Sequence, residues 1–156
     1  MSGPLEAPID GRQSEAALAI CRGVRRLLRA HGFATVTELP LTSGRRADVV
    51  GVNAEGALVI VEIKSSIADF RADRKWRDYF AHCDRLYFAV DADMPLEIMP
   101  EDAGLIVADS YGGEILRAPP AHAIPPAARR AVLLRFAIAA ADRLHRLADP
   151  AATPET

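Results

Sequence analysis

Asp48, Glu62 and Lys64 are charged side chains set in or against strongly apolar strand sequence, and two acids so placed are suited to gripping a divalent cation. The segment reads Arg46-Ala47-Asp48-Val49-Val50-Gly51-Val52, then Asn53-Ala54-Glu55-Gly56, then Ala57-Leu58-Val59-Ile60-Val61-Glu62-Ile63-Lys64. Carboxylates facing one another on neighbouring strands repel. Each one moved toward an apolar interior without a partner costs on the order of several kcal/mol. Lys64 neutralises only part of two negative charges. A hard cation such as Mg²⁺ or Mn²⁺, held between the two acids, removes the conflict. A second reading places both acids at a solvated sheet edge, with Arg45, Arg46 and Lys64 as surface partners. The spacing alone is common by chance and leaves both readings open.

The elements that must position these residues are two β-branched runs joined by a polar stretch ending in glycine, the pattern of a β-hairpin. A three-residue loop, Ala54-Glu55-Gly56, puts Gly56 at the left-handed position such a turn requires. That register sets Asn53 opposite Ala57, Val50 opposite Ile60 and Asp48 opposite Glu62. With side chains alternating between faces, Asp48, Glu62 and Lys64 share one face with Val50, Val52, Leu58 and Ile60.

Around the hairpin the periodicity predicts a first helix over residues 12–30, with an apolar stripe of Ala17, Ile20, Cys21, Val24, Leu27 and Leu28 and Gly32 as its C-terminal cap. A short strand from Phe33 to Leu39 is stopped by Pro40. Ser66, with Asp69 three residues on, begins a second helix predicted to run to about Cys83 with Phe70, Trp76, Tyr79 and Phe80. Arg85 to Val90 and Gly104 to Asp109 read as strands covered on both faces. Tyr111-Gly112-Gly113 then turns the chain into a short extended piece, Glu114 to Arg117. Pro125-Pro126 opens a last helix running to about Leu147. The pattern predicts an α/β fold, a mixed sheet flanked by helices with an extra C-terminal helix. One domain covers 12–148, and 1–11 and 149–156 are expected to be disordered tails.

Half of the 156 residues are hydrophobic, enough for one domain with a real core. No run of about 18 apolar residues marks a membrane span, and the N-terminus lacks a basic-then-apolar signal pattern. A cytoplasmic protein is expected. Cys21 and Cys83 read as buried free thiols, and the histidines (31, 82, 122, 145) lack metal-ligand spacing. A formal charge of −2 argues against a highly basic nucleic-acid coating protein. Basic residues nonetheless cluster at Arg22, Arg25, Arg26 and Arg29, at Arg45 and Arg46, and at Arg71, Arg74, Lys75 and Arg77, on the elements that carry or flank the acids.

The helix–three strands–helix–strand order, with aspartate on the second strand and Glu-x-Lys ending the third, resembles the restriction-endonuclease-like core of the PD-(D/E)XK nuclease superfamily. More narrowly, Glu38-Leu-Pro-Leu, Gly44-Arg-Arg-Ala-Asp48-Val, Val61-Glu-Ile-Lys-Ser-Ser66, Asp69-Phe-Arg-Ala-Asp-Arg-Lys-Trp76 and Cys83-Asp-Arg-Leu-Tyr-Phe-Ala89 resemble the MmcB-type bacterial DNA repair proteins. Two departures stand out: Ala47 precedes Asp48 at a position where the superfamily's proline is often lost, and Lys75-x-x-x-Tyr79 stands where some relatives carry Gln-x-x-x-Tyr.

The resemblance implies a DNA repair endonuclease in which Mg²⁺ (or Mn²⁺), held by Asp48, Glu62 and the main-chain carbonyl of Ile63, activates water against a phosphodiester, with Lys64 beside that water. Glu15 and Glu38 are additional candidates near the ion, though Glu15 lies nearly opposite the apolar stripe. Arg45, Arg46 and Lys75 are the candidate DNA phosphate contacts. Trp76, Tyr79 and Phe80 read better as core than as base-stacking residues. Two alternatives remain: a catalytically silent DNA-binding repair accessory, and a protein-interaction module or homodimer using Leu133, Leu134, Phe136, Ile138 and Leu144 of the last helix.

Overall fold

The computed structural model describes residues 11–152, and side chains from 15 to 151. Most of the two expected tails lies outside the described residues; within them, Gly11 opens the first helix and Pro150–Ala152 form a 3₁₀ turn. The elements run α1 (Gly11–Ala30), β1 (Ala34–Pro40), β2 (Arg46–Val52), β3 (Leu58–Ile63), α2 (Ile67–Ala72), a 3₁₀ helix (Trp76–His82), β4 (Arg85–Val90), a 3₁₀ turn (Leu96–Ile98), β5 (Gly104–Ala108), β6 (Gly113–Arg117) and α3 (Pro126–Ala148). No helix among the described residues is long and apolar enough to cross a membrane.

The strands form one sheet in the order β1-β2-β3-β4-β5-β6. The β1–β2, β2–β3 and β5–β6 pairs are antiparallel, whereas β3–β4 and β4–β5 are parallel. The hairpin register is the expected one, with Val50 opposite Ile60. Gly56 takes φ 82° in the loop, and Asn53 Oδ1 accepts the Glu55 and Ala57 N–H groups.

Each face of the sheet carries its own core. Val49, Val59, Val61, Tyr87 and Ile106 pack on Ile20, Val24 and Leu28 of α1. Val50, Leu58, Ile60, Leu86 and Phe88 pack on Trp76, Tyr79 and Val132. Helix α1 ends in a Schellman arrangement: the Phe33 N–H donates to Leu28 O at 2.9 Å, with Gly32 at φ 88°. Its Gly23 lies so close to the β5–β6 turn that a Cβ there would fall 2.0 Å from Asp109 O.

Helix periodicity over Ser66 to Cys83 predicts one helix, but the chain breaks it at Asp73, with residues 73–75 outside any helix. The start is as expected: Ser66 Oγ accepts the Asp69 N–H, and Asp69 Oδ2 accepts that of Ser65. Buried partners overrule local propensity at the break. Asp73 turns inward to meet Lys64 and Arg45, and its Oδ1 also accepts the Lys75 N–H. Beyond it, Trp76 and Tyr79 lie three apart, one turn of a 3₁₀ helix, and both point into the core. Lys75 therefore precedes that helix rather than sitting one α-turn before Tyr79.

Helix α3 is tied down by arginines. Arg129 makes a bidentate pair with Asp84 (2.6 Å for each bond) and reaches Gly56 O at 3.0 Å. Arg143 donates to the carbonyls of Thr37 and Glu38, and Arg135 to that of Pro40. The face proposed for a partner is divided: Leu133 and Phe136 pack against the core, while Leu134, Ile138 and Leu144 are exposed. Both cysteines are free, with Cys83 buried and Cys21 only half-buried. Burial pushes their thiols up to about 11 for Cys21 and about 12 for Cys83, so neither is poised as a nucleophile.

Candidate functional site

Asp48 near the start of β2 and Glu62 near the end of β3 come together just past the last backbone pair, Val49 with Val61. Beyond that rung each carboxylate takes the place of a carbonyl. The Asp48 N–H donates to Glu62 Oε2 at 3.0 Å, and the Ile63 N–H donates to Asp48 Oδ2 at 2.8 Å. Strand alternation puts both acids on the face of Val50 and Ile60, and Glu62 lies alongside Phe88 of β4. Glu62 is 4 % exposed and Asp48 half-buried.

Both acids resist ionisation. Burial, opposed by the Ile63 N–H and reinforced by the charge of Glu38, pushes Asp48 up to about 6. Burial and then the charge of Asp48 hold Glu62 well above the usual carboxylate range.

Lys64 is itself only 6 % exposed, and its direct partner is neither of these acids. Its Nζ lies 2.9 Å from Asp73 Oδ2, while Arg45 approaches Asp73 Oδ1 at 3.2 Å. Burial would raise Asp73, but the hydrogen bond and charge of Lys64 outweigh it and keep Asp73 below its ordinary value. Asp73 is a residue that sequence reasoning missed. The available signal was an aspartate, a poor interior helix former, inside a predicted helix that follows a lysine bound for burial.

Arg45 leans over the Tyr79 ring at 4.7 Å, and Tyr79 Oη donates to Arg46 O at 3.1 Å. Arg46 is largely exposed and pairs with Glu38 at 3.0 Å. Lys75 is exposed. Glu38 occupies the β1 position opposite Asp48, between the pairs Thr37–Val49 and Leu39–Ala47, with its backbone at φ 52°. Glu15 is exposed on α1 and makes no hydrogen bond or ion pair with the two acids among the described residues. Trp76 and Tyr79 are buried and Phe80 packs against the core, so this aromatic stripe is structural.

The donor set fits a hard divalent ion. Among the described residues, one oxygen of each carboxylate (Asp48 Oδ1 and Glu62 Oε1) accepts no hydrogen bond, and the Ile63 carbonyl belongs to the same strand end. No group of three or more His, Cys, Asp or Glu stands ready to hold a metal among the described residues. Two carboxylates and a carbonyl are hard oxygen donors, the kind a Mg²⁺ ion takes through one or two carboxylates while keeping several waters.

A family model described as DNA repair protein MmcB-like matches residues 5–151. Among solved structures, a protein of unknown function from Silicibacter pomeroyi is 43 % identical, with 89 % of this chain and 95 % of that chain covered and a TM-score of 0.86. A repair endonuclease from Pyrococcus abyssi is 17 % identical over 60 % of this chain and 45 % of its own, with a TM-score of 0.33, a likeness that bears no weight. No curated protein matches.

Proposed function

The chain belongs to the MmcB-like family of DNA repair proteins, and from that premise we propose that it is a Mg²⁺- or Mn²⁺-dependent deoxyribonuclease of the PD-(D/E)XK type. The observation that carries this reading is an acid pair with no cation in direct contact, eased only in part by the charge of Lys64. Asp48 and Glu62 sit together in low-dielectric surroundings, and the one buried ammonium nearby is engaged by Asp73. Buried like charges that one shared ammonium offsets only in part cost more than a fold keeps without use.

Asp48, Glu62 and the Ile63 carbonyl would hold the ion, which when bound would polarise the scissile phosphate and acidify a water. The N–H groups of Asp48 and Ile63 fix the carboxylates before any ligand arrives, so little reorganisation is needed. Lys64 would orient the attacking water and offset charge on the phosphoryl oxygens from Nζ, with Asp73 holding that ammonium in place. Exposed Arg46 and Lys75 would meet DNA phosphates, whereas Arg45 serves first to hold Asp73.

Cleavage of single-stranded, duplex, flap and four-way-junction DNA with Mg²⁺ or Mn²⁺ tests the proposal. Activity is expected to vanish in EDTA and in Asp48→Asn, Glu62→Gln and Lys64→Met, each checked for folding by circular dichroism. Cleavage that survives all three substitutions would rule out this site. The Lys64–Asp73 pair favours one other reading, a DNA-binding repair accessory without turnover, because an ammonium so engaged is not free to meet a water. That reading expects DNA retention indifferent to metal and to Lys64, with no cleavage in the same panel.

A further inference from the structure

We propose that the break at Asp73 builds a phosphate-binding rim for DNA from Arg71, Arg74 and Lys75, beside the acid pair. Asp73 faces inward, held at one oxygen by Lys64 and at the other by Arg45. Its neighbours turn the other way: Arg71, Arg74 and Lys75 are all exposed. Because Lys64 is two residues from Glu62 and Arg45 is three from Asp48, the same two bonds fix this segment next to the acids.

Most other arginines are already engaged. Arg45, Arg46, Arg77, Arg129 and Arg146 face carboxylates, and Arg25, Arg26, Arg117, Arg135 and Arg143 donate to protein oxygens. The three rim side chains make no ion pair or hydrogen bond among the described residues. Asp69, the acid closest before them in sequence, is occupied by the Ser65 N–H. Three unengaged cations within five residues, on a segment held in place from beneath, suit the regular charge of a nucleic-acid backbone rather than base edges.

The inference rests on the reading of DNA as the partner, and the test separates the two. Binding of fluorescent duplex and single-stranded DNA to the full chain is measured in EDTA, so that cleavage does not intervene, between about 50 and 200 mM salt. Arg71→Ala/Arg74→Ala/Lys75→Ala is compared with Arg22→Ala/Arg29→Ala/Arg130→Ala, which removes the same charge from exposed, unengaged positions elsewhere.

The rim variant is expected to lower the slope of log K against log salt by about 2 to 3 on duplex, at roughly 0.9 per phosphate contact, and by less on single strands. The control should keep nearly the parent slope. Equal slopes in the two variants, or an unchanged slope in the rim variant, overturn the rim. Loss of slope in the rim variant of a parent protein that never cleaves supports the rim and removes the nuclease reading. A parent protein that retains no DNA in EDTA overturns the rim, and the cleavage panel with Mg²⁺ or Mn²⁺ then decides the nuclease reading by itself.

Discussion

Replacing Asp48 by asparagine should make the metal-free protein more stable. Asparagine keeps the shape and can still accept the Ile63 N–H that Asp48 Oδ2 accepts at 2.8 Å. What it removes is a charge that the fold opposes. Asp48 ionises at about 6 against an ordinary value of 3.8. At about 1.4 kcal/mol per tenfold change in the equilibrium, that difference amounts to ~3 kcal/mol at neutral pH.

Relaxation of a half-buried group will reduce the observed gain to about 1–3 kcal/mol. The pH dependence follows from proton counting. Between about 4 and 6 the folded protein holds the Asp48 proton while the unfolded chain has released it, so parental stability falls as pH rises through this range. The gap between variant and parent should be full above about pH 6 and absent below about pH 4.

Urea unfolding followed by Trp76, the chain's one tryptophan and 5 % exposed, provides the assay. Adding Mg²⁺ should narrow or close the gap, because an ion bound only by the folded parent contributes about 2.7 kcal/mol at a hundredfold excess over Kd. An asparagine variant that is less stable than the parent in EDTA at about pH 7.5, or a gap that does not change with pH, would refute the claim that burial of this acid outweighs the charge of Lys64.

Two further outcomes test the scaffold. Arg129→Ala should cost about 1–3 kcal/mol in urea unfolding, since it leaves a half-buried Asp84 without its bidentate partner. The hydrogen bond from Arg129 is the main cause holding Asp84 below its ordinary value. The effect should therefore persist above about pH 4 and fade as acid protonates Asp84; a pH-independent loss would point to packing instead. Gly23→Ala should lower stability by about 1–3 kcal/mol or more, because the new methyl would lie 2.0 Å from Asp109 O and 2.5 Å from Gly112 O. A melting temperature equal to that of the parent would show that the β5–β6 turn yields freely.

The hairpin carrying the acids was legible because its signals are local. Gly56 marks the loop, and β-branched alternation sets the register that brings Asp48 level with Glu62. The same locality made α1 readable from its stripe and from Gly32. The stretch after Ser66 was misread for the opposite reason. No glycine or proline interrupts residues 67–82, and only long-range partners, Lys64 and Arg45, draw Asp73 out of helical conformation.

Lys64 offsets the acid pair only in part, as expected, but its direct partner is a third acid, Asp73; alternation gives the direction of a side chain and not its partner. Glu38 was visible as a nearby carboxylate, but nothing in its neighbours announces a left-handed residue inside a strand.

The sheet places every strand beside its neighbour in the chain, so its growth needs only short loops and two modest crossovers. The exceptions come from α3, where the bonds of Arg135 to the Pro40 carbonyl and of Arg143 to the Thr37 and Glu38 carbonyls span about a hundred residues. On a ribosome, the outer edge of β1 must therefore wait for nearly the whole protein to emerge before it is shielded. Until then it is an open template for pairing with another nascent chain, and α3 serves as the closing guard against that association.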